Sequence, residues 1–397
     1  MSNGARTPQA LPAPQPARGI VPPHLLRQIA RAGEEPQATA AARTLGAGGR
    51  IAGSREVRAA RSRRTGPSGA GPGLVPPHLR QRLDGVPGAR RAVPEGDGEA
   101  VLRRSIHDAQ QGTDLPGVLV RAEGQASRGD ESVDEAYDGL GATWELFRRA
   151  FSRNSLDDEG MELVATVHYG QDFQNAFWDG EQMIFGDGDG RIFRSFTNAV
   201  DVIGHELTHG VVQYTAGLIY VAQPGALHES IADCFGAMVK QRRLGQSAQE
   251  ADWLIGEGVF TDRVQGVALR SMTAPGTAYD DPVLGKDPQP ATMEDYADLP
   301  HDAENDNGGV HINSGIPNRA FCLAATGIGG ASWEGAGPLW YTALTRPGLP
   351  KDADFATFAA ATLEAAAAAH GEDSAQHAAV EDAWRTVGVN PGSAGPE

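Results

Sequence analysis

Two histidines and one glutamate near the middle of the chain have the types and spacing of a hydrolytic metal site. The segment 199–214 carries the pattern H-E-x-x-H at His205, Glu206 and His209. Residues four apart lie on one face of a helix, so both imidazoles can bind a single ion. Glu206 lies off that axis, where its carboxylate can take a proton from a metal-bound water without binding the metal. The pattern predicts a zinc site, although two helical histidines alone are also compatible with an ordinary core.

A second apolar stretch supplies acidic residues at a compatible spacing. Residues 225–236 include Glu229 and Asp233, which are four residues apart. One carboxylate can complete a His2Glu ligand set, while the other accepts the free ring N–H of a ligating histidine and fixes its tautomer. Three protein ligands leave one position open for water, which is typical of a catalytic zinc site and not of a structural one.

The elements that must position these residues follow from hydrophobic periodicity. A capped amphipathic helix is predicted over Ser132–Phe151, and short strands over Glu162–His168 and Gln182–Phe185. Helical patterns return near the end of the chain, at 315–326, 353–370 and 376–387. The predicted fold class is α+β, with a β-rich half and a mainly α-helical half that meet at the metal helix.

Charge and composition separate a leader from the rest of the chain. The net charge is −17 at pH 7, but residues 1–91 contain fifteen Lys and Arg against four Asp and Glu, a balance of +11 that leaves −28 for residues 92–397. Residues 1–100 are rich in Pro, Gly, Ala and Arg, which predicts a largely flexible leader. One phrase occurs twice within it, at Gly19–Gln28 and Gly73–Gln81, and predicts a docking element.

Several other classes of protein are disfavoured. Residues 1–10 lack the apolar core of a secretory signal peptide, and no stretch is apolar enough to span a membrane. Arginines cluster between positions 55 and 64, but no aromatic or fold signature supports binding to nucleic acid. The third histidine of a metzincin would fall at Thr215, which excludes that class. A zinc aminopeptidase and a non-catalytic binding protein are the remaining alternatives.

Taken in chain order, several phrases resemble the thermolysin-like zinc metallopeptidases. They span roughly residues 101–390 and are H-Y-G from His168, N-A-F-W from Asn175, G-D-G-D-G from Gly186, the metal motif, Y-T-A-G-L-I-Y from Tyr214, Glu229 with Asp233, L-R-S-M from Leu269 and N-G-G-V-H-I-N-S-G from Asn307. The short leader with its Pro-Pro-x-Leu phrase is similar to that of the protealysin branch. The resemblance implies a two-lobed catalytic domain behind a prodomain, with boundaries at 1–100, 101–215 and 216–397.

The resemblance also implies roles at the reacting centre. Glu229 would be the third zinc ligand, with Asp233 behind a ligating histidine, and Glu206 would be the general base. His311 and Tyr220 would donate hydrogen bonds to the oxyanion, and Asp306 would orient His311.

Further matching residues imply how a peptide would bind. The Asn175 side chain and the Ala176 carbonyl would hold the substrate backbone, and Arg270 would bind the carbonyl on the leaving side. Five apolar residues would line the pocket beyond the cut: Phe193, Phe196, Val202, Ile255 and Leu269. The resemblance thus implies a zinc endopeptidase that cuts peptides or proteins on the amino side of Leu, Phe, Ile or Val.

Departures from the family pattern concern calcium. Lys240 and Leu254 stand at positions that are acidic in thermolysin, and Val267 replaces an acidic residue at a further site. The resemblance therefore allows bound calcium but with reduced sites, and the Lys240 ammonium is expected where an ion would otherwise stand.

The leader is expected to be an intramolecular inhibitor of a monomeric enzyme. Residues 21–26 form the predicted docking segment, with Leu25 and Leu26 in apolar subsites and His24 near the zinc. The sequence does not choose between the two copies of the phrase. The resemblance implies secretion, while the polar amino terminus favours a cytoplasmic precursor or non-classical export.

Overall fold

The computed structural model of the protein describes residues 19–62 and 100–391. A five-stranded mixed sheet forms the first lobe. Its strands are β1 (Arg104–Asp108), β2 (Val118–Ala122), β3 (Leu163–Val167), β4 (Ala176–Trp178) and β5 (Met183–Phe185). They lie in the order β2-β1-β3-β5-β4; the pairs β1–β3 and β3–β5 are parallel, and the two outer pairs are antiparallel. The predicted strands at 162–168 and 182–185 correspond to β3 and β5.

The described part of the leader contains two helices. Helix α1 (Pro23–Ala32) begins at a proline, whose fixed φ suits the first turn of a helix, and it buries Leu25, Leu26 and Ile29. Helix α2 (Gln37–Ser62) follows. Ala47 of α2 joins an aromatic cluster on the lobe that contains Tyr169, Phe173, Phe177 and Ile184.

The composition of the leader predicted flexibility for most of residues 1–100. The structure nevertheless has α2 over 26 residues. Its sequence is rich in Ala and Arg, which favour helix even where apolar periodicity is weak. Residues 1–18 and 63–99, with the second copy of the repeated phrase, lie outside the described residues.

Helix α3 (Glu131–Phe151) packs against β1 and β3 and agrees with the predicted 132–151 within one residue. Asp130 caps its start, since its Oδ1 accepts the N–H of Val133 at 3.2 Å. The apolar side predicted for this helix is buried at Val133, Ala136 and Leu140. The helix therefore covers one face of the sheet and joins it to the core.

Helices α4 (Val200–Gln213) and α5 (Ala222–Leu244) lie side by side in the core. Their backbones approach closely at two glycines. A Cβ on Gly236 would contact the carbonyl oxygen of Asp201, and a Cβ on Gly204 would lie 3.1 Å from the Cα of Gly236. This close approach lets short side chains of both helices reach a common point.

The second lobe is mainly helical. Its helices are α6 (Asp306–Asn313), α7 (Gly315–Ile328), α8 (Ala336–Thr345), α9 (Phe355–His370) and α10 (Ala375–Thr386). Two short strand pairs lie between α5 and α6 in the chain: β6 (Leu254–Ile255) with β7 (Arg270–Ser271), and β8 (Asp280–Asp281) with β9 (Gly285–Lys286). The predicted α+β class, with a β-rich first lobe and a helical second lobe, is confirmed. Within the described residues, no helix combines the length and apolar character that crossing a membrane requires.

Candidate active site

His205 and His209 on α4 and Glu229 on α5 converge at one buried point. His205 Nε2 lies 3.4 Å from Glu229 Oε2, and His209 Nε2 lies 3.6 Å from Glu229 Oε1. Ligands about 2.0–2.1 Å from a tetrahedral zinc are about 3.3–3.4 Å apart, close to these spacings. His205 Nε2 and Glu229 Oε2 are buried and have no hydrogen-bond partner, as expected of atoms that bind a metal. The donor set therefore fits a zinc ion.

Asp233, one turn after Glu229 on α5, holds His205 from the side away from this point. Its Oδ1 lies 2.7 Å from His205 Nδ1, and its two oxygens receive N–H groups of Arg270 at 2.7 and 2.8 Å. Burial alone would raise the pKa of Asp233, but Arg270 and His205 outweigh it and lower the pKa to about 2. The geometry thus separates the two carboxylates that helical spacing alone did not distinguish: Glu229 lies beside the Nε2 atoms, and Asp233 lies beside Nδ1.

Glu206 is fully buried beside the three predicted ligands. Its Oε2 accepts the N–H of Trp178 at 2.9 Å and lies 3.9 Å from His209 Nε2, while its Oε1 has no hydrogen-bond partner. Burial raises the pKa of Glu206 to about 8, against the opposing charge of His205. A carboxylate with one anchored oxygen and one unpaired oxygen is suited to accept a proton from a nearby water.

Tyr220, His311 and Asp306 form a connected group next to Glu229. His311 Nε2 lies 3.3 Å from the Tyr220 hydroxyl and 3.5 Å from Glu229 Oε2. Asp306 Oδ1 lies 2.7 Å from His311 Nδ1, and Asp306 Oδ2 accepts the main-chain N–H of His311 at 2.8 Å. The Tyr220 hydroxyl donates to Glu229 Oε1. Asp306 therefore fixes the His311 ring with Nε2 directed toward Tyr220 and the predicted zinc ligands.

The extended segment before α1 lies in the cleft between the lobes. The Ile20 N–H donates to the Ala176 carbonyl at 3.1 Å, and Arg270 Nη1 donates to the Ile20 carbonyl at 3.0 Å. The Asn175 side chain accepts the N–H of Val21 at 2.9 Å and donates to its carbonyl at 3.1 Å. The three residues predicted to hold a substrate backbone thus hold the backbone of the leader.

The five apolar residues predicted to line the specificity pocket are all buried: Phe193, Phe196, Val202, Ile255 and Leu269. The ring centroids of Phe193 and Phe196 are 5.5 Å apart, and the N–H of Leu269 donates to the Ile255 carbonyl at 2.9 Å. Ile20 of the leader is buried in the same hydrophobic core. Their role in specificity stays a prediction.

Lys240 lies within a group of carboxylates. Its Nζ is 2.8 Å from Asp252 Oδ2 and 2.8 Å from Glu257 Oε2. Asp201 is buried nearby, and burial raises its pKa to about 6 although the Lys240 charge opposes this. The Lys240 ammonium is therefore paired with carboxylates, and its replacement of a calcium ion stays a prediction. Leu254 is half-buried in β6 and Val267 is exposed.

His24 of the leader is close enough to Asp306 and His311 for their charges to act on it. Both ring nitrogens are buried without a hydrogen-bond partner, and burial lowers the pKa of His24 to about 4, against the opposing charge of Asp306. The other charges that act on it belong to Arg27 and Arg270. The predicted approach of His24 to the zinc remains a prediction.

Two partners of site residues were not predicted from the sequence. The Asn318 side chain donates to Asp233 Oδ2 at 2.7 Å from α7, across a separation of 85 residues. The main-chain N–H of Trp178 holds Glu206. Asn318 follows the N-G-G-V-H-I-N-S-G phrase closely, but no pattern in the chain connects it with Asp233. A main-chain donor carries no sequence signal.

Comparisons with known proteins agree with this geometry. The family model described as the thermolysin metallopeptidase catalytic domain matches residues 100–213, and the model of its α-helical domain matches residues 216–389. An extracellular metalloprotease of Pectobacterium carotovorum subsp. carotovorum is 58% identical over 286 residues, which are 72% of this chain and 81% of the relative. The two matched ranges contain every site residue described above except those of the leader.

A solved structure is similar over nearly the whole chain. The precursor of protealysin, a metalloproteinase from Serratia proteamaculans, superposes with a TM-score of 0.77 at 48% identity. The similarity covers 94% of this chain and 100% of that one. Protease PrtS of Photorhabdus sp. (strain Az29) is 50% identical over 310 residues, or 77% of this chain and 82% of the relative.

Proposed function

The chain belongs to the thermolysin family of metallopeptidases, and on that premise we propose that it is made as a latent precursor and cuts peptides before bulky apolar residues. The family is zinc-dependent, and the chain is a metalloendopeptidase of it. The observation that carries the proposal is the docked leader. Asn175, Ala176 and Arg270 bind its backbone with the groups that the resemblance assigns to substrate.

The proposed mechanism uses groups that are already in position. His205, His209 and Glu229 would hold zinc, which would supply a Lewis acid for the scissile carbonyl and for the attacking water. Glu206 takes a proton from the attacking water on its Oε1 and later delivers it to the departing amine. His311 and Tyr220 stabilise the oxyanion, and Asp306 keeps the His311 ring in the required orientation.

An internally quenched peptide with blocked ends, incubated with the matured enzyme with and without phenanthroline, tests this function. We expect internal cleavage that the chelator abolishes and that added zinc restores. Cleavage only when the amino terminus is free would support an aminopeptidase instead. Binding of the peptide without cleavage by the zinc-loaded protein would support a non-catalytic binding protein.

For specificity, we expect cleavage on the amino side of Leu, Phe, Ile or Val, because the proposed pocket is lined by buried apolar side chains. In the proposed pocket Phe196 fills space that a leucine would leave open. Phe196→Leu should therefore raise kcat/KM for peptides with Phe after the cut, relative to peptides with Leu there, by roughly 10-fold. Phe260→Leu is the matched control, because Phe260 packs on Phe193 but is not among the proposed lining residues. Product mapping by mass spectrometry checks this, and charged residues after the cut would contradict it.

For calcium, we propose that Lys240 replaces an ion, so millimolar calcium should barely change the melting temperature. Lys240→Glu would place another carboxylate beside Asp201, Asp252 and Glu257, and repulsion among them should lower the melting temperature. Millimolar calcium should restore it, since that ion binds several carboxylate oxygens. The exposed Lys286→Glu serves as the matched control. A steep rise in the melting temperature of the unmodified protein on addition of millimolar calcium would contradict the proposal.

We also propose that the protein acts outside the cell as a monomer and has its own leader as inhibitor. The name of one similar relative, an extracellular metalloprotease, supports action outside the cell. The precursor form of another supports an inhibitory leader. Detection of the protein in culture medium, without release of a cytoplasmic marker, tests the location. Light scattering of the precursor tests the oligomeric state.

A further inference from the structure

The docked leader places one peptide bond at the reacting position of the cleft. Arg270 binds the carbonyl of Ile20, and the proposed role of Arg270 is to bind the first carbonyl after the cut. The Asn175 side chain brackets the next residue, Val21, through both its N–H and its carbonyl. Ile20 is therefore the first residue after the cut, and the bond in the reacting position is Gly19–Ile20.

The position of the Ile20 nitrogen is also fixed by a contact that does not involve Arg270. The Ile20 N–H donates to the Ala176 carbonyl at 3.1 Å, at the start of β4. At the end of the same strand, the Trp178 N–H donates to Glu206 Oε2 at 2.9 Å. In a peptide cut at Gly19–Ile20, the Ile20 nitrogen is the departing amine, and the strand that holds it also holds Glu206.

Gly19 and Ile20 also have suitable side chains for these two positions. Gly19 pairs with Phe177 at the free edge of β4, where a Cβ on Gly19 would lie 2.8 Å from the Ala176 carbonyl oxygen. Only glycine fits this approach without a shift of the backbone. Ile20 is bulky, apolar and fully buried, in agreement with the proposed preference after the cut.

We propose that the enzyme hydrolyses its own Gly19–Ile20 bond and that residues 20–62 then remain in the cleft as a bound product. This inference rests on the proposed function. Water adds to the Gly19 carbonyl carbon and the bond to the Ile20 nitrogen breaks. Gly19 becomes a carboxylate, and Ile20 becomes the amino terminus of the remaining chain.

The contacts that hold the leader lie mostly after the cut. The Arg27 guanidinium donates to the carbonyls of Glu304 and Ala303 at 2.6 and 2.5 Å. The Thr44 hydroxyl accepts the N–H of Gln174 at 3.0 Å, and Leu25 and Leu26 are buried. Since hydrolysis breaks none of these contacts, the cut should not by itself free the cleft.

The second copy of the phrase offers the same substrate sequence, although it lies outside the described residues. Gly73, Val75, Pro76, Pro77 and His78 repeat the first copy, and Leu74 stands in place of Ile20. Arg80 stands where the first copy has Leu26, which is 2% exposed. A peptide of this sequence is therefore expected to be cut at Gly73–Leu74 but held less tightly than the first copy.

The experiment follows the intact mass and the amino-terminal sequence of the zinc-loaded precursor over time. We expect loss of residues 1–19 and a new terminus at Ile20, with no gain of activity on the quenched peptide. Ile20→Leu should preserve the cut and Ile20→Asp should stop it. Synthetic peptides spanning residues 15–28 and 69–82, given to the matured enzyme, should be cut at Gly19–Ile20 and Gly73–Leu74.

Two results would overturn the inference while leaving the proposed function intact. One is a matured enzyme that cuts the quenched peptide but neither Gly-Ile nor Gly-Leu in these peptides. The other is loss of residues 1–19 at the same rate in a Glu206→Gln precursor, which would assign the cut to another protease. Failure to cut the quenched peptide as well would instead contradict the proposed function.

Discussion

Glu206→Gln is expected to lower kcat/KM for peptide hydrolysis by on the order of 10³-fold or more while zinc remains bound at one ion per chain. Glutamine has nearly the same shape, and its side-chain oxygen can still accept the N–H of Trp178. It cannot accept a proton from water. The three predicted ligands are untouched, so the metal content should not change.

Kinetics on the quenched peptide and metal analysis of the same preparation check this expectation. Glu145→Gln on the exposed side of α3 is the matched control and should leave both quantities unchanged. His311→Ala should cost less than Glu206→Gln, because Tyr220 and the metal still face the oxyanion. Substantial activity in Glu206→Gln would refute the assignment of the general base.

Replacing Pro22, Pro23 and Leu25 with alanine is expected to raise the activity of the uncut precursor about 10-fold or more. The two prolines set the direction in which the chain enters α1, and all three side chains are buried. Their loss should weaken the hold of the leader on the cleft. Activity on the quenched peptide, measured before any change of mass, reports this release.

The second copy of the phrase provides a matched control within the same chain. Pro76, Pro77 and Leu79 replaced by alanine should leave the precursor latent, because the first copy occupies the cleft in the structure. If the variant with Pro76, Pro77 and Leu79 replaced became active and the variant with Pro22, Pro23 and Leu25 replaced stayed latent, the docked copy would have been assigned wrongly. Latency of both variants would show that these side chains do not hold the leader.

The parts of the site that helical spacing alone could predict are local. His205, Glu206 and His209 share one helix, and Glu229 and Asp233 share the next, so helical spacing alone brings each set together. The contact of Asn318 with Asp233 and that of Ile20 with Arg270 span 85 and 250 residues. Such pairs depend on how the lobes fold against each other, which no local pattern contains.

Among the elements that the sequence analysis did not predict, α2 and α6 were missed for different physical reasons. Helix α2 has little apolar periodicity, and its stability depends on contacts such as that of Thr44 with Gln174. In helix α6, Asn307, Gly308 and Gly309 have φ of 53°, 82° and 72°. Glycines and positive φ are typical of loops, so the sequence of this segment did not indicate a helix. The family resemblance, by contrast, predicted Lys240 beside carboxylates, because this lysine stands at a position that is acidic in thermolysin.

The 250-residue separation between Ile20 and Arg270 sets an order during synthesis of the protein. The ribosome makes a chain from its amino terminus, so the leader is complete long before Glu229, Arg270 and His311 are added. No growing chain therefore has an assembled site before it has a leader. With the leader as the proposed inhibitor, the cell would be protected from this protease from the moment that the last residue of the site is made.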